Sequence, residues 1–174
     1  MESATGPLGH AVDVSLQVPT ATSLKLSCVD GSIVVAKVEG EIEVNNLNDP
    51  VTLTNVSGVV VAHSVSGEVV TQMDKVTPDK SMSFSTFNGD IDVTLPPQTK
   101  ANVKLESQNG NIYSDFEIGF DKTPRQPTVE DGRKDGGRYR IVFDKGVVGA
   151  INGGGPEIQF KTVNGNIHIR KGKQ

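Results

Sequence analysis

The chain has one cysteine, no tryptophan and few rings of any kind: aromatic residues fill 5% of its 174 positions. The lone Cys28 excludes an internal disulfide, though exported proteins without disulfides are common enough that this does not fix a compartment. With so few rings, any core must be built from Val, Ile and Leu, which suits a narrow interior. No stretch approaches the roughly 18 consecutive apolar residues of a membrane helix, so no membrane insertion is expected. Charge of one sign is also lacking. Seventeen Lys and Arg stand against 21 Asp and Glu, a net charge of −4. That excludes a general electrostatic attraction to nucleic acid or to anionic lipid. No signal-peptide pattern opens the chain. Its start, MESATGPLGH, fits no later pattern, so residues 1–11 read as a linker or as a remnant joined to a trimmed mature chain.

What is present is a repeat. Between residues 29 and 73 the chain recurs every nine residues, five times without a gap: VDGSIVVAK, VEGEIEVNN, LNDPVTLTN, VSGVVVAHS, VSGEVVTQM. Position 1 is Val29, Val38, Leu47, Val56 and Val65; position 3 is Gly31, Gly40, Asp49, Gly58 and Gly67; position 5 is Ile33, Ile42, Val51, Val60 and Val69. A short fixed period rich in β-branched residues marks a chain that stacks on itself. Alternate side chains on a strand face opposite ways, so positions 1, 5 and 7 form the inner set. Nine is odd, and a corner near positions 8 and 9 must reset the parity. Glycine at position 3 allows a second tight feature through φ > 0.

The phase continues in FSTFNGDIDV, ESQNGNIYS and KTVNGNIHI, with Gly89, Gly110 and Gly165 as anchors. Steps between anchors of 18, 18, 22 and 21 residues (31, 49, 67, 89, 110) give a coil of about 18–22 residues with two long sides. The expected fold is all-β: a single parallel β-helix, or β-solenoid, over residues 12–174, right-handed by analogy with most β-helices. Six or seven coils at about 4.8 Å would make a rod roughly 30 Å long. The alternating Val12, Val14, Leu16, Val18, followed by Leu24 and Leu26, reads as the first coil. Cys28 shares the parity of Leu24 and Leu26 and reads as a buried small hydrophobe. Residues 115–156 break the repeat and read as an excursion that rejoins the rod at Ile158, covering an edge or presenting a loop. The alternative fold is an antiparallel sandwich or barrel, since Asn88-Gly89, Asn109-Gly110 and Asn164-Gly165 are strong hairpin signals.

These residues resemble a bacterial family of β-strand-repeat proteins of unknown function, often labelled adhesins. The likeness is carried by VSG before alternating strand residues (Val56–Gly58, Val65–Gly67), by FSTFNGDIDVTLP (Phe84–Pro96), by GGGPEIQFKTVNGNIHIRK (Gly153–Lys171) and by VPTATSLKLSCVDG (Val18–Gly31). The resemblance implies a parallel β-solenoid and an exported or envelope location (periplasm or cell surface) in bacteria. It implies no catalytic residues.

The chemistry that remains is sparse. Aspartate does not recur at the offsets that calcium-binding β-rolls require. His10, His63 and His168 fall in distant coils and read as exposed. GGG at 153–155 lacks the strand–helix context and the Lys-Ser/Thr of a phosphate loop. No metal and no cofactor is expected. Position 4 stacks Glu68, Asp90 and Asn111 on successive coils, and two carboxylates about 5 Å apart could share a proton or a metal. Position 6 places Asp92 beside Tyr113, a strip suited to sugar or protein contact. Val34, Val59, Val61 and Val70 face outward, and Val59–Val61 forms an exposed aliphatic strip of the kind that marks a partner surface. The leading expectation is a non-catalytic exported module that contacts a surface polysaccharide or another envelope protein. The alternatives are a polysaccharide-cleaving enzyme using Glu68, Asp90 and Asp92, and a rod that self-associates through unpaired end coils.

Overall fold

The computed structural model describes residues 12–120, 128–131, 139–142 and 146–173. All its regular structure is β. In chain order, the first coil is β1 (Leu24–Cys28) and β2 (Ile33–Ala36). The second is β3 (Glu39–Asn46) and the start of β4 (Val51–Ser64), and the third is the rest of β4 with β5 (Val69–Val76). The fourth is β6 (Met82–Asn88) and β7 (Ile91–Leu95), and the fifth is β8 (Ala101–Asn109) and β9 (Ile112–Ser114). Then come β10 (Ile118–Phe120), β11 (Thr128–Asp131), β12 (Tyr139–Val142) and β13 (Val147–Ile151). The chain ends in a sixth coil, β14 (Glu157–Asn164) and β15 (Ile167–Lys171).

The coils stack in parallel, with register steps that match the sequence period. Leu24 lies beside Ile42 and Ile42 beside Val60; Ile33, Val51, Val69 and Ile91 form the column on the other side. Parallel ladders join the coils, so the Asn-Gly pairs turn coil corners and do not make hairpins. β4 rounds its corner with Asn55 at φ 54° and Gly58 at φ 111°. Two inward aliphatic columns from each side fill the interior. Phe84 and Phe160 stack within it, ring centroids 5.5 Å apart.

Four expectations are corrected. Residues Val12–Val18 form no strand and are not a first coil; Val12, Val14, Leu16 and Val18 are 61%, 76%, 75% and 40% exposed. The paired structure begins with the bridge of Ala21 to Glu39, because the repeat phase starts only there. Cys28 is half-buried, since it belongs to the end coil, whose strand β1 pairs on one side only among the described residues. Position 1 is inward only at alternate units: Val38 and Val56 are buried, whereas Val29 and Leu47 are exposed at the opposite corner. The inward residue at that corner is the one before position 1: Cys28 in the end coil, and Asn, Ser or Thr in the coils that follow. Asn46, Thr86, Ser107 and Thr162 each donate to a backbone carbonyl of the adjacent coil, at Gly31, Gly67, Gly165 and Gly89. The glycines at most of these corners are required by close stacking and not by φ.

The fourth correction concerns order. The last coil does not extend the rod. β14 lies between β6 and β8, in parallel register with both, and β15 lies between β7 and β9. The excursion caps the far end with antiparallel strands: β13 on β8 and β10 on β13, β12 on β9 and β11 on β12. Covering an edge is therefore what these strands do, but the chain rejoins inside the stack.

Two buried hydroxyls, those of Thr71 and Thr99, have no hydrogen-bond partner among the described residues. Thr71 sits in the column between Leu53 and Val93, fully buried, and its hydroxyl has no partner. Thr71→Val keeps the shape and removes the unpaired hydroxyl. It is expected to raise stability by about 1 kcal/mol, measured by urea unfolding.

Candidate functional site

The alternation of β7, β15 and β9 buries Ile91, Val93, Ile167, Ile169 and Ile112, and turns the residues between them outward. Register then sets Asp92 beside His168 and His168 beside Tyr113, with Thr94 beside Arg170 in the next row. The Tyr113 and His168 rings stack at 4.9 Å with planes 11° apart. Arg170 reaches diagonally to Asp92: Nε donates to both carboxylate oxygens at 2.8 Å, and Nη2 lies 2.6 Å from Oδ2. That hydrogen bonding raises the guanidinium pKa above its usual value, with a smaller contribution from the charge of Asp115. The fork is fixed by the carboxylate, and its remaining N–H groups are not used by that pair. Arg170 keeps 42% of its side chain exposed against 19% for Asp92, so the cation is the more accessible partner. A ring pair beside a positioned guanidinium, on a sheet that cannot bend far, can hold the apolar face of a ligand while donating to its oxygens.

Asp92 and Tyr113 do share a strip, but they are not adjacent: the inserted β15 places His168 between them. His168 is accordingly half-buried and stacked, where exposure was expected; His63 is exposed and bonded to Ser85 at 2.9 Å, and His10 lies outside the described residues. Glu68 and Asp90 do fall on neighbouring coils, flanking the paired Val69 and Ile91. Asn111 is not the next member of that row. Asn166 comes between, its backbone N–H and side chain donating to Asp90 at 2.7 and 3.4 Å while its own Oδ1 accepts from Asn111 N at 3.0 Å. Asp90 thus closes a coil corner. Among the described residues no three His, Cys, Asp or Glu side chains gather as a metal site would require.

On the opposite side of the rod, Val59 is half-buried and Val61 exposed. With Leu24 and Ile42 they line a groove of about 300 Å³ bordered by charge. Lys25 pairs with Glu43 at 3.0 Å and Lys80 with Glu41. The lysines hold both carboxyls below the usual glutamate range by hydrogen bonding. The aliphatic strip is therefore narrower than the sequence suggests.

From the sequence His168 reads only as an exposed histidine and Arg170 is not assigned to the strip, although a signal exists. Ile167-His168-Ile169-Arg170 repeats the phase of Ile91-Asp92-Val93-Thr94, which puts His168 in the Asp92 row.

A family model matches residues 9–149 of a chain so arranged. The protein belongs to the Toastrack DUF4097 family. No curated protein and no solved structure matches it. The Toastrack match stops before β14 and β15, yet the structure seats these strands between coils that lie within it.

Proposed function

We propose that this Toastrack domain is a non-catalytic, adhesin-like binding module of the bacterial envelope, and that it holds a surface polysaccharide on the outer face of β7, β15 and β9. The observation that supports this is the Tyr113–His168 stack beside the Asp92–Arg170 fork. A pyranose ring offers a C–H face to aromatic rings and hydroxyl or carboxylate oxygens to a guanidinium, so its two surfaces match the two halves of the strip. Among the described residues no ion pair joins Glu68 or Asp90 to a cation that could complete a cleavage site, and Asp90 is engaged by Asn166. The structural use of Asp90 agrees with a binding role.

The test is a glycan and cell-wall-polymer array, with each polymer weighed for cleavage. Retention without cleavage is expected. Tyr113→Ala and Arg170→Ala should each weaken it by about tenfold or more, as anchor residues do, with circular dichroism unchanged. Glu68→Gln with Asp90→Asn should leave retention as it was. Absence of retention on every polymer would refute the proposal. Cleavage that disappears in the double variant would replace it with an enzymatic one.

A further inference from the structure

The two ends of the rod are finished differently. One is capped by β10–β13. At the other, β1 pairs only with β3 and β2 only with β4 among the described residues, so one edge of each strand is open. The aliphatics of this end coil are incompletely covered. Leu24, Leu26 and Ile33 are half-buried, while their neighbours Ile42, Val44 and Val51 are fully buried one coil inward. The segment Val12–Val18, which could have closed this end, forms no strand and leaves its apolar side chains exposed. An open parallel edge above a partly bare core is a template for another strand.

We infer that this end coil is the interface of a head-to-head dimer with a second copy of the chain, β1 pairing antiparallel with its counterpart about a two-fold axis at Leu26. The far end finishes in the antiparallel strands β10 and β11 and not in a parallel coil, so a two-fold pair of like ends is the assembly this asymmetry favours. The strand is self-complementary in that register. Leu26 meets Leu26 and Leu24 meets Cys28 on the inner side, joining the two cores into one stack. On the outer side Lys25 meets Ser27, so no like charges oppose. The exposed aliphatics of Val12–Val18 lie on the chain that leads into this end and widen the apolar area available to the contact.

Sedimentation equilibrium from micromolar to millimolar concentration tests the interface through Ser27, an exposed outward residue whose replacement leaves the core untouched. The chain is expected to dimerise. Ser27→Lys sets two lysine pairs against each other across the axis and should weaken the dimer about tenfold; Ser27→Glu sets two Lys–Glu pairs and should tighten it. A strict monomer at all concentrations would overturn the inference. So would a dimer indifferent to the sign of the charge at position 27, or one lost on Leu16→Asp while the Ser27 variants leave it unchanged, since the contact would then lie elsewhere.

Discussion

Phe160→Ala is expected to cost about 3–5 kcal/mol of stability, the usual range for deleting a buried ring, and to lower the melting temperature by about 10 °C or more. Phe160 is wholly buried in the inserted strand β14. It stacks on Phe84 of β6 on one side and faces Leu105 of β8 on the other. The cavity would therefore open between the fourth and fifth coils, consecutive in the chain but separated by the inserted β14, and the parallel backbone ladders on both sides restrain the collapse that could refill it. Differential scanning calorimetry gives the magnitude. Hydrogen exchange gives the place: protection should fall in β6 and β8 together. A loss below about 1 kcal/mol, or a change confined to the final strands, would mean that β14 lies at an edge and not within the stack.

Gly165→Ala is expected to destabilise by about 3 kcal/mol, at the upper end of overpacking costs. A Cβ at Gly165 would stand 1.9 Å from the carbonyl oxygen of Gly89, and one at Gly110 would stand 1.9 Å from the carbonyl oxygen of Gly165. These are backbone atoms, fixed by ladders, and no side-chain rotation relieves the overlap. Thr162 and Ser107 bond to the same two carbonyls, so any shift also strains those bonds. The asparagines before the glycines bond in a row, Asn109 to Asn164 at 2.9 Å and Asn164 to Asn88 at 2.6 Å. The corner moves as a unit or not at all. Gly119→Ala is the control, because a Cβ there meets only Ala150 O at an ordinary 3.7 Å; it should be close to neutral. Equal midpoints for the two variants in chemical denaturation would show that the corner glycines do not stack as described.

The repeat made the coil legible because a strand's inward set depends only on parity, and a parallel stack places residues of equal phase on one another. Val51, Val69 and Ile91 could be assigned to one column from their spacing alone. Position 1 misled because a two-sided coil holds two nine-residue units, and the same position falls inside at one corner and outside at the other. Asn46, Thr86 and Thr162 could have revealed this, since a polar residue at one fixed phase needs a fixed backbone partner. The strip formed by Asp92 and Tyr113 was visible by phase, but its composition was not. His168 and Arg170 enter it from a coil 76 or more residues downstream of Asp92.

The amino-acid sequence by itself determined the local matters: strands of period two, corners at Asn-Gly, an aliphatic core too narrow for many rings, and parallel stacking in steps of 18 residues where the units are regular. Only the tertiary structure decided which coil lies beside which. Coils of equal phase are interchangeable in pattern, so the repeat cannot rank them. The choice rests on non-local fit: Phe160 against Phe84, Gly165 between Gly89 and Gly110, and Asn166 between Asp90 and Asn111. With that choice came the rest of the candidate site, since inserting β15 is what sets His168 on Tyr113 and Arg170 on Asp92.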